Sequence, residues 1–262
     1  MSAGRANPDP WQSLRRHTAA RIALGRAGSS LPTAELLKFS YDHAEARDAV
    51  HSELDWPRLR TDLAPIGLPV VQVASSVNDR FTYLQRPDLG GVLNDESRRR
   101  LKVSATNVEC FDVALIIADG LSALAAQLHA ASVAGPLVSL LQADHLRLAP
   151  LVLARLARVA LQDEIGHILN ARAALILIGE RPGLGAADSL GAYLVFNPRP
   201  GNTNAQRNCV SNIRPAGLPP AAAADTLHYL LTQSLRRQIS GVALKDERDA
   251  NQRRIVDHAP TP

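Results

Sequence analysis

The chain has 262 residues, 46% of them hydrophobic and 21% charged, the balance of a folded globular protein rather than a disordered or wholly membrane-embedded one. Only 4% are aromatic, which leaves little material for stacking bases. The surplus of four basic residues is spread evenly, 15 Lys and Arg against 13 Asp and Glu in residues 1–110 and 14 against 12 in residues 111–262, so no segment gathers the charge that a phosphate backbone requires.

Residues 1–10 are polar and Pro-rich and are expected to form a loose tail. Trp11 to Thr18 suits a short helix. The following Ala19 to Ser30 mixes small residues, two arginines and two glycines, which suits backbone packed closely against something else. Thr33 reads as the N-cap of a helix whose apolar stripe includes Leu36, Leu37, Tyr41, Ala44, Ala49 and Val50. Leu68 to Val73 is a short strand signal, Tyr83 to Gly91 a turn-rich connection, and Ser97 to Lys102 a basic, exposed helix end.

From Phe111 the texture changes. Asp112 to Ile117 reads as a strand, Ala118-Asp119-Gly120 as its turn, and Leu121 to Ala131 as a helix that Pro136 interrupts before helical spacing resumes over 137–148. A second strand is expected over 151–159. A short helix follows with Asp163 and Glu164 at its positive end, then strands at Ala173–Ile178 and Ser189–Phe196. Asn208 to Ile213 reads as a short buried segment, and a proline in the first turn opens a helix that runs to Arg237. The alternation predicts an α/β fold with a doubly wound, mainly parallel sheet over 106–245, a smaller, mostly helical N-terminal region over 11–105, and a second loose tail over 246–262.

The chemical signals are incomplete. Cys110 and Cys209 make neither a disulfide framework nor a zinc site, His43 and His51 lack supporting carboxylates, and no metal site is expected. The N-terminus lacks the apolar core of a signal peptide, and no run reaches the roughly 18 uninterrupted apolar residues of a membrane helix. A cytoplasmic protein without membrane contact is expected. No Walker sequence or G-x-S-x-G elbow is present, and the first βα turn lacks the glycine triplet of a dinucleotide site. Asp163 and Glu164 are adjacent, so they face different directions and cannot act as a facing acid pair. Cys209 reads either as a buried structural cysteine or as a thiol at a ligand wall. Glu180, where the run Leu175–Ile178 gives way to Gly179-Glu180-Arg181-Pro182-Gly183, reads either as an internal ion pair holding the loop or as a ligand-facing carboxylate at the rim of the sheet.

Four motifs carry a resemblance: Ala20-Arg21-Ile22-Ala23-Leu24-Gly25-Arg26-Ala27-Gly28, Ile117-Ala118-Asp119-Gly120-Leu121-Ser122, Leu177-Ile178-Gly179-Glu180-Arg181-Pro182-Gly183-Leu184 and Asn208-Cys209-Val210-Ser211-Asn212-Ile213. In this order, from about Arg15 to Lys245, the chain resembles the small (light) subunit of ethanolamine ammonia-lyase. The resemblance implies an adenosylcobalamin (coenzyme B12)-dependent enzyme that converts ethanolamine to acetaldehyde and ammonia by a radical mechanism. A large TIM-barrel subunit would hold substrate, while a Rossmann-like domain of the small subunit covers the corrinoid. It also implies that Val159, Glu180 and Cys209 line the cofactor, and that no catalytic residue lies on this chain. None of the eight histidines sits in the D-x-H-x-x-G pattern that replaces the cofactor's own base, in keeping with a family that leaves that base on cobalt. Some members carry a longer N-terminal extension associated with a bacterial microcompartment; the segment before Trp11 is short here. The competing expectations are a self-sufficient Rossmann-type nucleotide enzyme and an assembly protein without a cofactor.

Overall fold

In the computed structural model of the chain, which describes residues 9–18, 20–104 and 110–248, α1 (Thr33–His51) and α2 (Trp56–Leu63) lead into β1 (Val70–Ala74). Next are α3 (Arg80–Gln85), α4 (Pro87–Gly90) and α5 (Asp95–Ser104). The second half runs β2 (Phe111–Ala118), α6 (Ala123–Ala143), β3 (Leu151–Arg155), α7 (Leu161–Ile168), β4 (Ala171–Gly179), β5 (Leu190–Phe196), β6 (Arg207–Ile213) and α8 (Pro220–Arg237). The tails expected at 1–10 and 246–262 lie outside the described residues, apart from 9–10 and 246–248.

All six strands share one sheet, in the order β1-β3-β2-β4-β5-β6. β1, β3, β2 and β4 are parallel, but β5 runs antiparallel to both β4 and β6. The expectation of a mainly parallel doubly wound sheet is thus corrected to a mixed α/β sheet. Connection length is the reason. Only residues 180–189 join β4 to β5, with no helix among them, whereas a parallel return needs a crossover of about a dozen residues or more. β1, from within residues 11–105, is one edge of the same sheet.

The path from β2 to β3 through α6 moves one way along the sheet, and the path from β3 to β4 through α7 moves the other. Right-handed crossovers then require helices on opposite faces, and the side chains divide accordingly. Val113, Leu115 and Ile117 of β2 join α2, α6 and α8 in one core, while Ala114, Ile116 and Ala118 join α5 and α7 in another. β2 is buried at every position, as expected for a central strand covered on both faces.

Several expectations are corrected locally. Pro136 does not break the helix, because it is exposed on the outer side of α6. The carbonyl it deprives of a donor, that of Ser132, can be met by water. α6 has the length and composition of a membrane span, but half of that span is buried, and Val133, Leu137 and Leu141 pack into the core. The strand expected over 151–159 stops at Arg155, where Leu156 turns with φ 51°. Thr33 is the first helical residue of α1 rather than its cap, and of the apolar stripe only Ala49 is buried. The stretch 83–91 condenses into the end of α3 and α4, with the Asp79 carboxylate capping α3.

Candidate functional site at the rim between β2 and β4

β2 and β4 lie side by side, yet the chain leaves them in opposite directions, toward β3 and toward β5. The crevice at the C-terminal ends of two such strands is where open α/β sheets hold ligands. A cavity of about 480 Å³ opens there, with Leu121, Val159, Ile178, Glu180, Tyr193 and Asn212 among its lining residues.

The rim is tied together by buried polar groups. The Asp119 carboxylate, at the end of β2, accepts from the backbone N–H of Gly120 (2.9 Å), Leu156 (3.0 Å) and Ala157 (3.3 Å). Burial pushes its pKa up, against these bonds and the charge of Arg80. Arg80 donates to the carbonyls of Gly120 (2.6 Å), Leu121 (2.9 Å) and Val50 (2.8 Å), joining the β2 loop to the end of α1. The guanidinium groups of Arg158 (4.2 Å) and Arg80 (4.9 Å) both lie over the buried ring of Tyr83, and its hydroxyl donates to the Ala157 carbonyl at 2.9 Å. Gly179 is required by close approach, since a Cβ there would meet the Ser122 carbonyl oxygen at 1.9 Å. These loop amides are consumed by Asp119 and so are not free to cradle a phosphate, which agrees with the missing glycine triplet.

Two of the three residues singled out from the sequence face the cavity. Val159, half-buried just after β3, and Glu180, the first residue after β4, both line it. Among the described residues Glu180 makes no ion pair. Its Oε2 accepts from the Ser189 hydroxyl at 2.6 Å and from the Asn212 backbone N–H at 3.2 Å. The side chain lies across Gly191, where a Cβ would meet Oε1 at 2.7 Å. This glycine sits at the register shift between β5 and β6, so the irregularity makes room for the carboxylate.

Cys209 stands one step back. It faces Tyr193 across the β5–β6 ladder, and Tyr193, not Cys209, is the residue at the cavity wall. The expectation that 208–213 is a buried segment is corrected. β6 is an edge strand with only Arg207, Val210 and Ile213 buried, and Cys209 is exposed. Its sulfur is nevertheless shielded locally, which raises its pKa; a hydrogen bond from the Tyr193 hydroxyl opposes that shift and the charge of Glu180 adds to it. A thiol so shifted is a poor nucleophile. Asn208 serves structure, bridging to Gly241 and Leu244.

Sequence reasoning missed Tyr193, Arg158, Ser189 and Asn212 as site residues. Tyr193 could have been found, because period-two alternation along β5 places it on the same face as Gly191. Arg158 could not, since its role follows from the ring of Tyr83, 75 residues away. Its Nε is buried without a hydrogen-bond partner among the described residues. No group of three His, Cys, Asp or Glu side chains converges as metal ligands among the described residues. Asp163 and Glu164 diverge as expected, but they do more than face a helix dipole. Asp163 makes a buried ion pair with Arg207, and Glu164 binds Arg98 (2.6 Å) and the Leu93 N–H (2.9 Å).

Comparison with known proteins gives the family. The family described as ethanolamine ammonia-lyase light chain matches residues 8–245. The chain is 52% identical over 243 residues to the ethanolamine ammonia-lyase small subunit of Azotobacter vinelandii, covering 92% of this chain and 90% of that one. It is 51% identical over 253 residues to the small subunit of Bradyrhizobium diazoefficiens, covering 96% of each, and 50% identical over 242 residues to that of Xanthomonas campestris pv. campestris strain ATCC 33913. The chain belongs to the ethanolamine ammonia-lyase light chain family.

Proposed function

We propose that the rim between β2 and β4 is one wall of an adenosylcobalamin site, closed by the large subunit of a heteromeric carbon–nitrogen lyase acting on ethanolamine. Membership of the light chain family supports the subunit role and the reaction. The single observation that carries the cofactor reading is the wall itself, where the apolar Leu121, Val159 and Ile178 lie beside a carboxylate held in place by Ser189, Asn212 and Gly191. A corrinoid is a flat apolar macrocycle fringed with amides, and such a wall offers it both contacts. Helices on both faces of a sheet that is parallel at this rim support the Rossmann-like reading. When bound, the cofactor supplies the radical chemistry through homolysis of its cobalt–carbon bond.

The work of this chain is binding, orientation and exclusion of water. Glu180 accepts hydrogen bonds from cofactor amides, and the Tyr193 hydroxyl, whose own proton is turned toward Cys209, accepts as well. Val159 packs against the apolar face. Cys209 acts through Tyr193, fixing the direction of its hydroxyl, and is a positioning residue. Substrate-contacting groups then belong to the large subunit.

The test is to co-express the chain with a matching large subunit and to measure cobalamin absorbance and ethanolamine-dependent ammonia release. Glu180→Gln keeps the shape and removes the charge. It is expected to weaken cobalamin retention about tenfold, equivalent to ~1.4 kcal/mol, with assembly intact. A pair that assembles without retaining corrinoid defeats the cofactor reading. Unchanged retention in the variant would show that the carboxylate serves only its loop.

A further inference from the structure

Of the fifteen large apolar side chains exposed among the described residues, eight fall between Trp11 and Tyr41. A folded chain scatters such residues singly over its surface, and a concentration of them marks an interaction site. α1 is 19 residues long and buries one side chain, Ala49. Leu37 and Tyr41 lie one turn apart on it, 65% and 63% exposed, with Leu36 beside them at 52%.

The segment before α1 is equally uncovered. Ala23, Gly25 and Gly28 all have positive φ, and among the pairings within the arm are Ile22 N–H with the Ala20 carbonyl and the short bridge from Ala27 to Ser30. One cation holds this arm to the helix: Arg21 donates to the Glu35 carbonyl at 2.9 Å, pairs with Asp42 at 3.3 Å and lies over the Phe39 ring at 5.4 Å. An arm so shaped, exposed over residues 26–31, is a surface prepared for contact with another chain.

The patch runs into the candidate site. Phe39, Val50, Pro182 and Leu184 line one groove of about 520 Å³, and Pro182 and Leu184 belong to the loop that begins at Glu180. The same loop reaches the groove formed by Leu124, Leu128 and Ala49 through Gly185 and Ala187.

We infer that the arm 20–31 and the outer face of α1 are the docking surface for the large subunit. This rests on the proposed function in one respect, that the large subunit closes the cavity whose rim the patch continues. Light chain membership gives the occupant, and continuity with the Glu180 loop gives its place. A partner seated over the rim covers Leu184, meets Phe39 and Leu36 next, and reaches Leu37 and Tyr41 by wrapping across the outer face of α1.

The test uses the co-expressed pair. Leu37→Glu with Tyr41→Glu places two charges in the patch at sites open to water, so the fold is kept, as circular dichroism and Tm will show. Association with the large subunit is expected to weaken at least tenfold. Leu37→Met with Tyr41→Phe is expected to restore it, and Val242→Glu, an exposed site elsewhere (78%), to leave it unchanged. Hydrogen exchange in the wild-type pair is expected to slow over 20–50 and 182–188 relative to the chain alone. Unchanged association of the double Glu variant overturns the inference, as does equal weakening by Val242→Glu. If the chain alone self-associates through this face and the pair forms without it, the occupant is a second copy and the inference also fails. Cobalamin absorbance is read separately: a pair that docks through this face but holds no corrinoid refutes the cofactor reading and leaves the docking surface standing.

Discussion

Glu180 shows how much of a site can rest on neighbours that carry no chemistry themselves. Its carboxylate is aimed by a hydroxyl, a backbone amide and an absent side chain. Gly191→Ala forces a methyl group to within contact of Oε1, Cγ and Cδ. It is expected to displace the carboxylate, at a cost of ~1–3 kcal/mol for overpacking, and to lower cobalamin retention at least as much as Glu180→Gln. Ser189→Ala removes one donor to the carboxylate and leaves the space, so a smaller loss of retention is expected, on the order of 1 kcal/mol. Cobalamin absorbance of the purified pair ranks the three variants, and equal retention in all of them would remove the positioning role. Glu180 was legible in the sequence as a charge at the end of an aliphatic run, and Val159 only through the family resemblance. The partners that aim Glu180 were not, because Ser189, Gly191 and Asn212 meet it only through the return of β5 and the register shift against β6.

At the scale of elements, periodicity and breakers located most strands and helices, and failed where burial overrode local preference. Pro136 is the clearest case. It ought to end α6, yet it sits on the wet side, and the Ser139 hydroxyl donates to the neighbouring Gly135 carbonyl at 3.1 Å. The helix therefore bears a local penalty that tertiary packing offsets. Pro136→Ala restores the missing N–H and is expected to raise stability by ~1–3 kcal/mol, seen as a higher Tm; an unchanged or lower Tm would show that the proline is needed for the curvature of α6. The antiparallel turn of β5 was equally hidden. Its composition suits either strand direction, and only the lack of a crossover helix betrays it. α1 escaped differently, since of the six residues of its apolar stripe three are exposed and only Ala49 is buried.

Over the whole molecule, Asp163 on α7 and Arg207 at the start of β6 join elements 44 residues apart through an ion pair whose side chains are 3% and 4% exposed. Burial raises the Asp163 pKa to about 6 in spite of the cation. The folded chain therefore binds a proton between the ordinary value of 3.8 and about 6 that the unfolded chain has released. The stability this group contributes is complete below 3.8 and declines as pH rises toward 6, by at most ~1.4 kcal/mol per pH unit. Melting temperatures of wild type and Asp163→Asn between pH 4 and 7 check this. The advantage of the wild type is expected to shrink as pH rises, whereas a widening gap would mean that attraction to Arg207 outweighs burial. The knot formed by Asp119, Arg80 and Tyr83 has a consequence of another kind. It joins the loops after β2 and β3 to α1 and α3, while Gly179 locks the end of β4 against the first of them, so the rim loses its conformational freedom during folding, before any ligand arrives. A cradle set in advance leaves little ordering to be done on binding, and little give to let a ligand out; escape then falls to the movement of whatever covers it.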